Sequence, residues 1–281
     1  MYKRNRKVKR RVVEKEIICE LVRTVRSYLP RSGTRKMYEI LKVMMESHGV
    51  SIGRDRLFVV LRESQMLVRR RKRHFITTNS KHQFYKYPNR AKGLKLERPE
   101  QLWVSDITYI KCQRSHLFLS LVTDAYSRKI MGYHVADHLK TSGPAEALKM
   151  AIRNRKYPGR QLMHHSDRGI QYCSAEYTSI LLGHGIEISM TESYDPYENA
   201  KAERVNGTIK NEFELDKPFY SITNARREVG KTVEIYNKLR PHLSCGMRTP
   251  EQVHEKPKLY PGKLQTNPLW ETIILNNFNN N

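Results

Sequence analysis

Between residues 102 and 137 three apolar segments follow one another with short polar breaks: LWVSDITYI, HLFLSLVTDAY and KIMGYHVAD. They are rich in β-branched and aromatic residues, so three successive strands are expected, paired as an antiparallel meander. The first of them restricts the fold most. On a period of two, Leu102, Val104, Thr108 and Ile110 share a face with Asp106, and Trp103, Ile107 and Tyr109 lie on the other. Both faces are largely apolar, which places this strand in the middle of a sheet covered on both sides. It nevertheless carries a carboxylate at its midpoint. A buried ionised carboxylate is costly unless it is paired or hydrogen-bonded. Asp106 is therefore either a capped or salt-bridged structural residue or a functional one.

Downstream, a helix is expected around 143–154. QLMHHSD reads as a short strand ending at Asp167, before the turn Arg168-Gly169. Residues 174–184 read as a helix, Gly185 as a break and IEISM as another short strand. Helices follow over about 198–214 and about 222–238. The remainder is loop-rich, with prolines at 241, 250, 257, 261 and 268, and the tail NNFNNN is expected to be disordered. Strands first antiparallel and then alternating with helices indicate a mixed α/β sheet. Strand ends of such sheets open into ligand crevices, which suits Asp167, although Asp-Arg-Gly is equally good turn chemistry. In the helix NAKAERVNGTIKNEF, Asn199, Glu203, Asn206 and Lys210 form one polar stripe. Ala202, Val205, Ile209 and Phe213 form the neighbouring apolar stripe, which should face the sheet.

The other end of the chain is a polycation. Residues 1–100 hold 28 basic and 9 acidic side chains, against 24 and 19 in residues 101–281, within a total of +24. Such an excess points to nucleic acid. The opening MYKRNRKVKRR is read as a flexible arm. A first helix then carries Val13, Ile17, Ile18, Leu21, Val22 and Val25 and stops at Pro30. A second is capped by Thr34 and ended by His48-Gly49, with Met37, Ile40, Leu41 and Met44 inward. A third has Leu57, Val60 and Leu61 inward. Together they suggest a helix-turn-helix-like bundle. Arg69, Arg70, Arg71, Lys72 and Arg73 follow it and are candidate phosphate contacts. Residues 74–100 read as an extended basic linker. It either lies on nucleic acid through Tyr85 and Tyr87, which flank Lys86, or is a solvated connector. The division is thus 1–73, linker 74–100, core 101–240 and extension 241–281. No apolar run approaches the roughly 20 residues of a membrane span, and no signal peptide is readable. A cytosolic partner of nucleic acid, with no membrane partner, is expected. Four scattered cysteines (Cys19, Cys112, Cys173, Cys245) without a CxxC argue against a disulfide framework or a Cys-rich zinc site.

If the three carboxylates converge, they form a site for divalent metal. Mg²⁺ prefers carboxylate oxygens and water, and two such ions can serve both oxygens of a phosphodiester transfer. At this point the words around them resemble a known family. Asp106 in WVSDITYI, Asp167 in HHSDRGIQYCS and Glu203 in YENAKAERVNGTIKNEF are similar to the Asp–Asp–Glu core of insertion-sequence transposases of the group nearest retroviral integrases. Lys210 stands seven residues after Glu203, where that family has a basic residue, and YNKLRPHLSCGMRTPEQV resembles its stretch after the core. The resemblance covers about 30–255.

The resemblance implies a ribonuclease H-like sheet behind a small helical domain. It implies Asp106, Asp167 and Glu203 as catalytic ligands of two Mg²⁺ ions, with Mn²⁺ a substitute. It implies cleavage at transposon ends and 3′-OH strand transfer on double-stranded DNA, by a homo-oligomer. Lys210, Arg204, Asn199 and Arg168 become candidate DNA contacts. The chain resembles the downstream frame of such elements, so an upstream helix-turn-helix protein, fused or separate, is an expected partner. The retroviral zinc module is absent, since no CxxC accompanies His74 and His82. The alternatives are a non-catalytic DNA-binding regulator derived from a transposase, and a ribonuclease H-type nuclease. Asp124, Glu192, Asp195 and Glu198 are read as turn, loop or cap residues. His164 and His165 are read as strand-end packing or DNA contacts, and Cys173 as a small reduced residue.

Overall fold

The computed structural model describes residues 2–68, 83–113, 115–192, 200–257, 269–270 and 272–273. They form two compact units. The first contains the N-terminal helices α1 (Tyr2–Tyr28), α2 (Thr34–Ser47) and α3 (Arg54–Glu63), together with 239–249 and the residues described after 268. α1 begins at Tyr2, so the expected arm is helical instead. No Gly or Pro interrupts 2–28, and Lys and Arg are good helix formers. Its second half buries Ile18, Leu21, Val22 and Val25. α2 buries Met37, Ile40, Leu41, Met44 and Met45 and stops at His48, followed by Gly49 at φ +69°, a left-handed position that favours glycine. Thr34 is not its cap: Gly33 holds that position and makes no side-chain bond. Leu57, Val60 and Leu61 of α3 are buried as expected. The C-terminal part of this unit places Trp270 edge-on to Tyr28, with its indole N–H donating to the Leu239 carbonyl at 3.1 Å.

The second unit is a five-stranded sheet in the order β3-β2-β1-β4-β5. β1 (Leu102–Cys112), β2 (Ser115–Asp124) and β3 (Ile130–Ala136) form the antiparallel meander, and β4 (Met163–Ser166) and β5 (Glu187–Met190) run parallel to β1. The ribonuclease H-like arrangement is thus present, with β1 central. On one face Trp103, Val122 and Met131 pack with α4 (Ser142–Arg153) and α6 (Ala175–Gly183). On the other, Leu102 and Val104 form a cluster with Ala125 and with Ala202 of α7 (Ala200–Glu212). Contact with α4 is so close at β3 that a Cβ on Gly132 would lie 2.0 Å from the Ala147 carbonyl oxygen. The expected helix over 174–184 is α6 itself, capped by Ser174, whose side chain accepts from the Tyr177 N–H. A short α5 (Ile170–Cys173) that was not expected precedes it.

Each sheet edge has a neighbour that bonds part of it. Along β3, Asn237 of α8 (Ile222–Lys238) donates to the Ile130 carbonyl and accepts from its N–H, both at 2.9 Å. Along β5 runs the segment read as a linker. Ser189 Oγ accepts from the N–H groups of Arg90 and Ala91 at 2.9 and 3.2 Å. Ala91, Leu94 and Leu96 pack against the Leu102–Val104 cluster, and Tyr87 against the opposite core. Residues 87–96 therefore pack on the sheet unit and are no solvated connector, while Tyr85 stays exposed. Beyond α8 the loop-rich reading misses a 3-10 turn (Leu243–Cys245) and α9 (Pro250–Glu255), which belongs to the sheet unit. No described helix is long and apolar enough to cross a membrane.

Candidate active site

The parallel pairing of β1 with β4 sets the level of the two aspartates. Leu102 faces Met163, Trp103 faces His164 and Val104 faces His165, an offset of 61 residues. Continued two rungs, that offset brings Asp106 opposite Asp167, at the carboxyl end of β4. The interval between the two motifs is thus the sheet register itself.

α7 supplies the third group. Ala202, Val205 and Ile209 are buried against the sheet, as expected. The polar stripe beside them is not simply solvated. Asn206 is 5% exposed, and its Nδ2 donates to Asp106 Oδ2 at 2.6 Å. One turn further, Lys210 Nζ donates to Thr108 Oγ1 at 3.2 Å. The stripe therefore reads along the Asp106–Thr108 face of β1, with Glu203 on the first turn of α7 and exposed.

Electrostatics tie the three carboxylates together. Burial, and next the charge of Asp167, push the Asp106 carboxyl up to about 7, with a smaller push from Glu203. The Asn206 amide and the Ile107 N–H act the other way. Asp167 Oδ1 accepts from the Gly169 N–H at 3.0 Å. Among the described residues no three Asp, Glu, His or Cys side chains are gathered around a common metal position. The three carboxylates are nevertheless donors of the kind a hard cation takes, and the charges of Asp167 and Glu203 both act on Asp106.

The remaining candidates fall as follows. Arg204 is exposed on α7, and Arg168 Nη1 donates to the Glu192 carbonyl at 3.1 Å. Asn199, Arg69, Arg70, Arg71, Lys72 and Arg73 lie outside the described residues, as do Asp195, Glu198, His74 and His82. His164 is fully buried, its Nε2 within 2.7 Å of Ser105 Oγ and 2.9 Å of the Tyr177 hydroxyl. It is core packing and touches no surface. His165 is likewise buried, with Nδ1 2.9 Å from Ser189 Oγ. Burial and then the charge of Asp167 push the Cys173 thiol up to about 11, which leaves it protonated. Glu192 Oε1 accepts from the Asn89 N–H. Asp124 is a turn residue, as read: its Oδ1 accepts from the N–H and hydroxyl of Ser127, both at 2.7 Å.

Residues 97–196 match the family described as "Integrase core domain", and residues 184–250 match a second family of the same description. The transposase InsF for insertion sequence IS3A of Escherichia coli (strain K12) is 36% identical over 159 residues, 56% of this chain and 55% of that protein. The 31 kDa protein of insertion element IS600 from Shigella sonnei is 32% identical over 243 residues, 86% of each. The chain belongs to the insertion-sequence transposases with a retroviral-integrase-like core. The function of that family is DNA transposition. This chain spans about half the length of the InsF relative. A simian T-cell lymphotropic virus intasome, solved by cryo-EM in complex with the PP2A regulatory subunit B56 gamma, shares the fold at 19% identity. The TM-score is 0.50 over 83% of this chain and 78% of that one.

Two features of this transposase-family core escape a reading of the sequence alone. Asn206 is visible there only as one member of a polar stripe, although it touches Asp106. A buried set of charges around Glu100, Asp124, Arg155 and His254 joins residues up to 154 positions apart. No local pattern signals it.

Proposed function

We propose that Asp106, Asp167 and Glu203 are the metal-holding and catalytic carboxylates of a DNA transposase. The enzyme cleaves at the ends of its own element and joins the freed 3′-OH to another phosphodiester. The observation that carries this is the β1–β4 register, whose last pair, Val104 with His165, stands two residues before Asp106 on one strand and two before Asp167 on the other. The sensitivity of the Asp106 carboxyl to both Asp167 and Glu203 supports it. When bound, Mg²⁺ ions (two, with Mn²⁺ as substitute) would supply charge neutralisation and polarise the attacking and leaving oxygens.

The chain's own residues do the rest. Asn206 orients one oxygen of Asp106. Lys210, held at Thr108, brings a cation to the same face for a DNA phosphate, and Arg204 and Arg168 offer others. Asn199 and the run from Arg69 to Arg73 are further DNA contacts in this reading. The basic N-terminal half holds the backbone in a salt-sensitive way. The partners are double-stranded transposon ends and target DNA, further copies of this chain, and an upstream helix-turn-helix protein, in the bacterial cytoplasm at the nucleoid.

The test is a strand-transfer assay with terminal-repeat duplexes and Mg²⁺, with the upstream product added. Asp106→Ala, Asp167→Ala and Glu203→Ala should each abolish joined product while duplex retention in gel-shift persists. Full joining by Glu203→Ala would sink the assignment. Retention without joining in the unsubstituted chain would favour a non-catalytic regulator.

A further inference from the structure

α9 lies on the sheet unit although the segment before it belongs to the helical one. The residue that holds it is His254, 1% exposed. Its Nε2 is 3.3 Å from Glu100 Oε1, and its Nδ1 is 3.0 Å from Ser127 Oγ. Ser127 Oγ in turn donates to Asp124 Oδ1, and on the other side Nε2 faces a carboxylate. The ring therefore bridges two buried acids, Glu100 directly and Asp124 through Ser127.

Those acids fix two backbone segments. Asp124 Oδ2 accepts from the Glu100 N–H at 2.6 Å, and Asp124 Oδ1 closes the turn between β2 and β3. Burial pushes the Glu100 carboxyl up, but His254, the N–H groups of Lys156 and Tyr157, and Arg155 together bring it below the ordinary carboxylate range. A second contact of α9 reaches the same turn: Lys129 Nζ donates to Glu251 Oε1 at 2.6 Å.

The turn so fixed is the seat of α7. Ala125, its first residue after β2, donates its N–H to the Leu102 carbonyl at 2.9 Å. It shares one buried cluster with Leu102, Val104 and Ala202. Glu203 follows Ala202 directly on the first turn of α7.

We infer that His254 is a positioning residue for Glu203: by clasping the β2–β3 turn through Glu100, Ser127 and Asp124, it sets the seat on which the first turn of α7 rests. This rests on the reading of Glu203 as a metal ligand. Loss of a group bonded directly to a metal ligand typically weakens metal affinity by about 10–100-fold, and a support acting through packing is expected at the low end of that range.

The experiment titrates the full chain with Mn²⁺ and counts free ion by electron paramagnetic resonance, without DNA and without turnover. His254→Phe removes both ring nitrogens and so the contacts to Glu100 and Ser127. Ala125→Gly thins the seat and leaves the buried charges intact, so it decides the matter if His254→Phe does not fold. Leu181→Ala, in the core of the opposite face, is the control for general loosening. Weakening of Mn²⁺ binding by about tenfold in His254→Phe and Ala125→Gly, with Leu181→Ala near the parent, is the expected result. Parent-like binding in Ala125→Gly, or equal weakening in Leu181→Ala, overturns the positioning role and leaves Glu203 as a ligand. Undiminished binding in Glu203→Ala removes the ligand reading and the positioning role with it.

Discussion

His164 offers the most quantitative test of the packed core. It is buried on β4 between Ser105 and Tyr177, and burial lowers its pKa to about 3, with the neighbouring His165 adding to the effect. An unfolded chain restores the ordinary value near 6.5. The folded form therefore refuses a proton that the unfolded form takes. The contribution of the neutral ring is complete above pH 6.5 and is lost as pH falls toward the folded value. Between pH 7 and pH 5 the loss is about 2 kcal/mol, set almost wholly by the unfolded value, so it hardly depends on how far burial pushes the ring. Asp106 titrates in the same window with opposite sign: its carboxyl is raised to about 7, so falling pH stabilises the fold through it. The parent alone is thus uninformative, and the useful quantity is the difference from His164→Gln, in which Asp106 cancels. Denaturant midpoints at pH 7 and pH 5 should show His164→Gln less stable at pH 7, with the gap closing by about 2 kcal/mol at pH 5. A gap that stays constant would refute the buried neutral imidazole.

Two further substitutions probe packing and the site. Gly132→Ala forces a Cβ to within 2.0 Å of the Ala147 carbonyl oxygen, so β3 and α4 must separate. A loss of about 3 kcal/mol or more is expected, read as a depressed thermal midpoint. Asn206→Ala leaves Asp106 Oδ2 without its amide donor and should slow strand transfer by roughly 10–100-fold while duplex binding holds. Unchanged joining would show that the amide does not orient Asp106.

The sheet was legible because its segments are apolar enough to be read without partners, and because Asp106 breaks a strand that is otherwise apolar on both faces. The level of Asp167 was legible as a motif, but its physical cause, the 61-residue register of β1 on β4, appears only once the strands pair. α8 was read at its observed bounds from a clean helical period. The start of α1 was misjudged because a dense run of cations resembles a solvated arm. With no breaker before Pro30, nothing in the backbone stops the helix. Residues 83–100 carry no period, and their burial depends on single side chains, Leu94 and Leu96, finding a cluster made elsewhere. α9 is only six residues long, too short for periodicity to register. Its Pro250 at the first helical position was the one available cue. The Glu100–His254 contact spans 154 residues and has no local signature at all.

The helical unit is closed by the far end of the chain, with Trp270 set against Tyr28 and bonded to Leu239. On a ribosome the three N-terminal helices emerge first, yet their last packing partner is made only after the whole sheet unit has been translated. At about 5–20 residues per second the interval is on the order of ten seconds or more. Once residue 190 is made the sheet has every strand it needs, while the helices still lack that closing contact. A message cut short before residue 270 would therefore yield a chain whose sheet can be whole but whose first-made helices remain unfinished.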